Sequence, residues 1–242
     1  MKSLVFAQDW WQFLLMAVIC YGIGCVNFAL VISRSKKKDI TKMGSGNPGT
    51  MNMSREFGLK FGLLTFVCDA VKGGLPALIS YFIYSGYVFD GTNVLVSDVT
   101  RYLCGTFVVI GHIFPVQMRF KGGKGIASTL GLFWFGLSCE NAWWALAGLG
   151  IALILVAFIY FTEWGSLGSL LGVTGCSMIQ MIVLLTKYPQ LTFNAYLVWT
   201  YLMIFFINVL TWVAHRKNLS RLFAGEEHRT SIKKLAKKEK KA

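Results

Sequence analysis

The chain has 242 residues, of which 55% are hydrophobic and only 14% are charged. This composition excludes an ordinary soluble domain and indicates a protein that uses lipid as its solvent. The formal net charge of +13 comes from 24 Lys and Arg residues that cluster in a few short stretches. Clusters of this kind set the orientation of a membrane protein.

Apolar runs long enough to cross a bilayer recur along the chain. A helix needs about 20 apolar residues to span the hydrocarbon core, so the runs predict an all-α, polytopic membrane protein with seven transmembrane helices. The predicted spans are 12–32, 61–84, 102–118, 125–139, 143–161, 166–186 and 195–213. The fourth is short, and we expect it to be tilted, extended into its glycines or partly re-entrant.

The positive charges predict how these helices are oriented. If the loops alternate between two sides, twenty cations fall on one side, in residues 33–60, 119–124 and 216–241, and three fall on the other. The positive-inside rule assigns the richer side to the cytoplasm. We therefore expect the N-terminus outside and the C-terminus in the cytoplasm.

No linker or internal repeat divides the chain, which predicts one membrane domain, 1–222, followed by a basic tail, 223–242. The tail favours contact with anionic lipid headgroups, each cation contributing about 1 kcal/mol near such a surface. A solvated end without a role is an equal alternative. The six cysteines have no CxxC pair and no histidine at ligand spacing, so we expect no metal site and no disulfide framework.

The first cation-rich loop has the composition of an anion-binding loop. From Gly44 to Arg55 it reads GSGNPGTMNMSR. Its turns would expose backbone N–H groups, and the planar guanidinium of Arg55 suits a phosphate. An ordinary membrane loop would explain the Gly and Pro residues, but less readily the density of short polar side chains.

A second segment, from Gly111 to Gly125, places lysines around glycines directly before a helix. Its last five residues read KGGKG. Backbone N–H groups and the positive end of the helix dipole would point at a bound anion there. The segment is not a nucleotide P-loop, because GxxxxGK[ST] cannot be fitted and no strand precedes it. Positive-inside lysines alone would explain the charge, but not the glycines.

Other candidate positions have two interpretations each. The small residues of the junction 162–169 are explained first by close helix packing. After the last span, His215 and Asn218 stand at i and i+3, where they could face a site together. Asp69 and Lys72 stand at i and i+3 within the second span, and a bracing ion pair and a functional pair are equally favoured.

Together these segments resemble the bacterial membrane glycerol-3-phosphate acyltransferase family that uses acyl-phosphate as its donor, often called the PlsY family. The resemblance covers nearly the whole chain and rests on three ordered patterns. The patterns are Ser45–Gly49 with Asn52 and Arg55, then His112 through Gly125, and finally His215, Asn218, Arg221, Leu222, Gly225 and Glu227.

The resemblance implies transfer of an acyl group from acyl-phosphate to the 1-hydroxyl of glycerol 3-phosphate, giving lysophosphatidic acid and phosphate in phospholipid synthesis. We expect a multi-pass protein of the inner (plasma) membrane with its active site on the cytoplasmic face. Its partners would be the two substrates and membrane lipids, with no cofactor and no nucleic acid.

The resemblance and the residue patterns together assign candidate site residues. The predicted catalytic residues are Ser45, Arg55, His215 and Asn218; the predicted substrate contacts are Asn47, Gly49, Asn52, His112, Lys121, Gly122, Gly123, Lys124, Gly125, Ser166 and Ser169; the predicted structural residues are Glu227, Asp69 and Lys72. None of the three histidines begins an H-x4-D pattern. We therefore expect cations and glycine N–H groups to align the substrates, with a substrate phosphate or His215 taking the proton.

The chain departs from the family pattern at two places. Thr50-Met51 stands where the family usually has Ala-Thr, and Glu163 stands near a usually basic position, which predicts a less cationic environment by the sixth helix. A transporter or channel for a phosphorylated anion is the alternative function, although the lack of repeats and of charges in several spans weighs against it. A non-catalytic lipid-binding relative is a third interpretation.

Overall fold

The computed structural model describes residues 1–227 and 229–231, and most of the predicted lysine-rich tail lies outside them. Within the described residues the chain forms ten α-helices and two short strands. The helices are α1 (Phe6–Cys25), α2 (Phe28–Ser35), α3 (Thr50–Phe57), α4 (Leu59–Tyr84), α5 (Val96–Ile113), α6 (Ile126–Ser138), α7 (Trp143–Thr162), α8 (Gly165–Lys187), α9 (Ala195–Ala214) and α10 (Arg216–Phe223); the strands are β1 (Lys2–Leu4) and β2 (Tyr87–Phe89).

Six apolar helical segments of the described chain are long enough to cross a membrane, whereas the sequence predicts seven spans. They are Phe6–Ser35, Leu59–Tyr84, Val96–Met118, Trp143–Thr162, Gly165–Lys187 and Ala195–Ala214. The remaining apolar helix, α6, has 13 residues, so it is about 20 Å long against a hydrocarbon core of about 30 Å. The predicted fourth span therefore exists as a helix that is shorter than the hydrocarbon core, as expected from the sequence, and the count of seven transmembrane helices stays a prediction.

The first predicted span, 12–32, is wrong as a single helix. The structure breaks it between α1 and α2 at Asn27, whose side chain accepts a hydrogen bond from Leu30 N at 2.9 Å and donates one to Pro48 O at 3.0 Å. An Asn side chain that caps a new helix competes with continuation of the preceding one. Hydrophobicity alone cannot show this break, because apolar residues continue on both sides.

A buried lysine satisfies the backbone carbonyls that this break leaves unpaired. Lys72 Nζ donates to Val26 O at 2.5 Å and to Gly24 O at 3.4 Å, and it lies 2.8 Å from Asp69 Oδ1. It also lies 2.8 Å from His112 Nδ1. An ammonium can only donate, so Nδ1 accepts and the ring proton belongs to Nε2. This arrangement ties α1 and α5 to the buried charge pair on α4.

Close helix packing brings α6 against α4 over small residues. A Cβ at Gly73 would lie 2.0 Å from Ser128 O, and a Cβ at Gly131 would lie 1.9 Å from Ala70 O. Only glycine permits backbones to approach this closely, as is common between membrane helices. The packing fixes the start of α6, and with it the end of the glycine-rich segment.

At the opposite end from the start of α6, buried charges join three helices. Arg101, which has 0% of its side chain exposed, pairs with Asp98 at 3.1 Å and contacts Glu140. Lys187 lies 2.8 Å from a carboxylate oxygen of each acid, and Tyr188 donates to Asp98 at 2.6 Å. These charge pairs connect α5 and α8 to Glu140, which follows α6, and Arg101 also donates to Gly136 O of α6 at 3.1 Å.

The short parallel pair of β1 and β2 is not part of the all-α prediction. Lys2 pairs with Tyr87 and Leu4 with Phe89. Strands of three residues are too short to show an alternating pattern, which explains why the sequence does not reveal them.

Candidate functional site

Three helix ends meet in a group of side chains that we call the polar cluster. It consists of Lys124, Ser166, Asn218, Arg221 and Glu227, of which Asn218 is central. Asn218 Nδ2 donates to Ser166 Oγ and to Glu227 Oε1, both at 2.8 Å, and Asn218 Oδ1 accepts from Lys124 Nζ. Both ends of the amide are therefore engaged, which fixes its orientation.

Glu227 is the anionic member of the polar cluster. It accepts hydrogen bonds from Ser166 Oγ at 2.6 Å and from Arg221 Nε at 3.1 Å. Burial opposes its ionisation, but the hydrogen bonds from Ser166 and Asn218 and the charge of Arg221 outweigh burial and hold the pKa of the carboxyl below its usual range. The carboxylate is therefore ionised at neutral pH and acts only as an acceptor.

Lys124 is the half-buried cation of the cluster. Burial is the main cause that lowers its pKa to about 8; the Glu227 charge opposes the shift, and the charges of Arg221 and Arg55 add to it. The predicted catalytic residue Arg55 therefore lies near enough to act on Lys124 through its charge. Arg221 and Arg55 thus both lie within electrostatic range of Lys124, and a group of cations of this kind suits a bound anion.

His215 lies beside the cluster with 4% of its surface exposed. Its Nδ1 is 2.8 Å from Thr211 O, and because a carbonyl only accepts, Nδ1 carries the ring proton and Nε2 keeps its lone pair. Burial and then the charge of Lys124 lower the pKa of His215 to about 4. The imidazole is therefore neutral at pH 7 and is a weak base.

The glycine-rich segment closes the end of α5 before α6 begins. The N–H groups of Gly122 and Gly123 donate to the last carbonyls of α5, each at 3.0 Å. They are thus engaged inside the protein, although the sequence predicts that they face a phosphate. Among the described residues, the N–H groups of Lys124 and Gly125 have no hydrogen-bond acceptor. These two groups and the first turn of α6 supply the available donors.

Gly123 also determines how the segment contacts α5. A Cβ at this position would lie 2.1 Å from His112 Nε2, so only glycine fits against the imidazole. His112 in turn contacts Lys72 through Nδ1. The buried charge pair on α4 is therefore connected through one histidine to the loop that carries Lys124.

The first loop is folded around Asn52, which is 1% exposed. Asn52 Oδ1 accepts from Ser45 N at 3.0 Å, and its Nδ2 donates to Met43 O at 2.9 Å and to Ile40 O at 3.3 Å. This gives Asn52 a role in holding the loop, and its contact with substrate stays a prediction. Ser45 is exposed, and its Oγ accepts from Asn47 N at 3.5 Å.

The structure brings some predicted residues together and leaves others apart. Direct contacts join Lys124, Ser166, Asn218 and Glu227, while Arg55 and His215 lie within electrostatic range of Lys124. Ser169 Oγ bonds to Gly165 O of its own helix at 2.8 Å. Among the described residues, no side-chain hydrogen bond or salt bridge links the cluster to Ser45, Asn47, Gly49, Lys121 or Ser169.

Two residues in or near the polar cluster, Arg221 and Thr230, are not among the predicted site residues. Arg221 belongs to the C-terminal pattern of the sequence, but its ion pair with Glu227 could not be inferred from spacing alone. Thr230 belongs to no pattern, yet Arg55 Nη2 donates to its hydroxyl at 3.2 Å. A polar residue beyond the last helix gives no signal of such a contact.

The six apolar helices that are long enough to cross a membrane define the class as an integral membrane protein, in which a partly buried polar cluster contains several cations. The family model described as glycerol-3-phosphate acyltransferase matches residues 14–225. The chain belongs to this family and is an acyltransferase, as the resemblance implies.

Relatives and solved structures agree with this assignment. The glycerol-3-phosphate acyltransferase of Mycoplasmopsis pulmonis is 35% identical over 212 residues, covering 86% of this chain and 88% of the relative. That of Desulfotalea psychrophila is 33% identical, covering 87% and 94%. The glycerol 3-phosphate form of PlsY (YgiH), an integral membrane glycerol 3-phosphate acyltransferase, matches with a TM-score of 0.72 at 28% identity, covering 93% of this chain and 98% of that chain. A lysophosphatidic acid form matches with a TM-score of 0.69 at 29% identity, covering 90% and 95%.

Proposed function

We propose that this chain transfers an acyl group from acyl-phosphate to the 1-hydroxyl of glycerol 3-phosphate, releasing phosphate and forming lysophosphatidic acid. The observation that carries the proposal is the grouping of cations at the polar cluster, where Arg221 and Arg55 lie within electrostatic range of Lys124. Both substrates carry a phosphoryl group, and a cationic site beside free N–H groups at a helix start suits such anions. The solved glycerol 3-phosphate and lysophosphatidic acid forms of the similar PlsY proteins support this choice of acceptor and product.

The reaction needs no covalent intermediate on the protein. The 1-hydroxyl oxygen attacks the acyl carbonyl carbon, the bond from that carbon to the phosphate oxygen breaks, and phosphate departs with the bonding electrons. Phosphate is a good leaving group, so positioning and charge stabilisation are sufficient. Lys124 and Arg55 would stabilise the negative charge that develops on the carbonyl and on the departing phosphate.

A substrate phosphate is a better proton acceptor here than His215. The second pKa of a phosphate monoester is about 6, whereas burial lowers the pKa of His215 to about 4. The stronger base therefore belongs to the substrate. His215 Nε2 keeps its lone pair, so in this proposal it would accept a hydrogen bond from a hydroxyl group of glycerol 3-phosphate.

The same proposal places the polar cluster on the cytoplasmic face of the inner membrane. Its support is the distribution of charge, because twenty of the 24 cations belong to the loops on the side of Lys124 and Asn218. Glycerol 3-phosphate is a soluble anion, so a site open to the cytoplasm would meet it there.

An assay of the purified protein tests the choice of donor. The protein would be incubated with glycerol 3-phosphate and either palmitoyl-phosphate or palmitoyl-CoA, and both phosphate and lysophosphatidic acid would be measured. We expect equal amounts of the two products with palmitoyl-phosphate, no acylation with palmitoyl-CoA, and a strong loss in Arg55→Ala. Turnover with palmitoyl-CoA alone, or equal phosphate release by the wild type and Arg55→Ala, would contradict the proposal.

A further inference from the structure

The chain returns to the candidate site after α10 and places a threonine there. Thr230 is 3% exposed, although it lies beyond the residues 14–225 that the family model matches. Burial of a polar side chain is unfavourable unless it is hydrogen-bonded. The hydrogen-bond partners of Thr230 therefore indicate the role of this buried side chain.

Two hydrogen bonds hold Thr230 between α3 and the junction of α7 and α8. Its N–H donates to Glu163 O at 2.7 Å, and its Oγ1 accepts from Arg55 Nη2 at 3.2 Å. Gly165 makes room for it, because a Cβ there would lie 2.9 Å from Thr230 Oγ1. The backbone bond fixes the threonine, and the hydroxyl then contacts the guanidinium.

The group that Thr230 offers to Arg55 is a hydroxyl, and the chemistry of this acceptor matters for a site that binds anions. A long Arg side chain loses substantial rotamer freedom when it is ordered, so a fixed acceptor favours one orientation. The hydroxyl of Thr230 is a neutral acceptor, so this hydrogen bond orients the guanidinium without itself cancelling the guanidinium charge. That charge reaches the site, since it contributes to the lowered pKa of Lys124.

We propose that Thr230 is a positioning residue that holds the Arg55 guanidinium in the orientation that binds the phosphoryl group of a substrate. This inference rests on the proposed role of Arg55 in acyl transfer. It assigns a part in the reaction to a residue outside the three sequence patterns. The same segment carries Glu227, so it supplies both the carboxylate of the polar cluster and the acceptor that orients Arg55.

Replacement of the hydroxyl tests this role. Thr230→Val keeps the volume beside Gly165 and the N–H bond to Glu163, but removes the acceptor. We expect kcat/KM for glycerol 3-phosphate to fall about tenfold, the effect of losing one hydrogen bond to a charged group. Thr230→Ser, which restores the hydroxyl, should recover most of this loss. Thr230→Ala also removes the hydroxyl, and its smaller side chain cannot clash with Gly165. We therefore expect the same fall in kcat/KM in this variant.

A double-mutant cycle with Arg55→Lys separates positioning from general support of the fold. If Thr230 acts through the guanidinium, Thr230→Val should change kcat/KM less than about twofold in the Arg55→Lys background. A full loss in that background, or no loss in Thr230→Val and Thr230→Ala with the wild-type Arg55, would overturn the inference. Thermal unfolding in detergent identifies any variant whose loss reflects unfolding. A wild-type protein that fails to turn over palmitoyl-phosphate would instead refute the proposed function.

Discussion

The neutral amide of Asn218 organises charged side chains on both of its sides. Its oxygen accepts from Lys124, and its nitrogen donates to Glu227 and Ser166. A charged residue in this place would pair with one neighbour and repel another. The amide instead keeps Lys124 close to the Glu227 carboxylate without a direct ion pair between them.

The pKa of Lys124 predicts how substrate affinity depends on pH. The pKa is lowered to about 8, so Lys124 is positively charged below pH 8 and loses this charge as the pH rises through that value. Glycerol 3-phosphate stays a dianion across this range, since its second pKa is about 6. We expect kcat/KM, which reports the free protein, to fall between pH 7 and pH 9.

Lys124→Arg provides the matched control for this prediction. A guanidinium stays charged well above pH 9, so the decrease on the alkaline side should disappear in this variant. His215 does not complicate the result, because burial keeps its pKa at about 4. An alkaline decrease of the same size in Lys124→Arg would show that another group titrates.

At the scale of the helices, long apolar runs are predictable and interruptions of them are not. The limits of α4, α7, α8 and α9 follow the predicted spans closely, because lipid selects for length and hydrophobicity. The break at Asn27 depends on a side-chain amide that donates to Pro48 O. Local sequence patterns cannot predict this hydrogen bond, because Pro48 is distant in the chain.

The same distinction holds for the candidate site. Glycines and lysines in a row indicate an anion site, so Lys124 could be identified from the sequence. That the N–H groups of Gly122 and Gly123 instead bond to α5 depends on tertiary geometry. The contact between Arg55 and Thr230 joins residues far apart in the chain. Neither hydrophobic periodicity nor the pattern of charges can predict such a pair.

Removal of Lys72 tests whether the buried charge pair braces the broken first span. Lys72→Met would leave Asp69 buried without a counter-ion and the carbonyls of Gly24 and Val26 without their donor. We expect a loss of about 3–5 kcal/mol in the free energy of unfolding, the usual effect of breaking a buried pair. Unfolding in detergent, followed by circular dichroism, measures it.

The double variant Asp69→Asn/Lys72→Met distinguishes bracing from chemistry. It removes the uncompensated charge, so it should be more stable than Lys72→Met alone and should recover activity in proportion to its stability. If stability returned while turnover stayed absent, the pair would have a function beyond bracing.

In the whole molecule, paired charges lie at two opposite ends. The polar cluster is at the start of α6, and the buried group around Arg101 is at its end. The first has more cations than anions, which suits a substrate. In the second, Arg101 and Lys187 are matched by Asp98 and Glu140, which suits a closed structural end.

The orientation of these two ends can be measured with single cysteines. In a background without the six native cysteines, Lys217→Cys and Asn141→Cys place exposed thiols near the two ends. We expect an impermeant maleimide to label Lys217→Cys only in inside-out membrane vesicles and Asn141→Cys only in right-side-out vesicles. The reverse pattern would refute a cytoplasmic site.

The most direct test of the central claim is the turnover of palmitoyl-phosphate and glycerol 3-phosphate by Lys124→Met and Lys121→Met. Lys124 lies in the polar cluster, whereas Lys121 is exposed in the same segment. Loss of the Lys124 ammonium should lower kcat/KM by about 100-fold or more, the usual effect of removing a group that stabilises developing charge, and loss of Lys121 should have a much smaller effect. A folded Lys124→Met protein with near wild-type turnover would contradict a phosphate-binding role for the polar cluster.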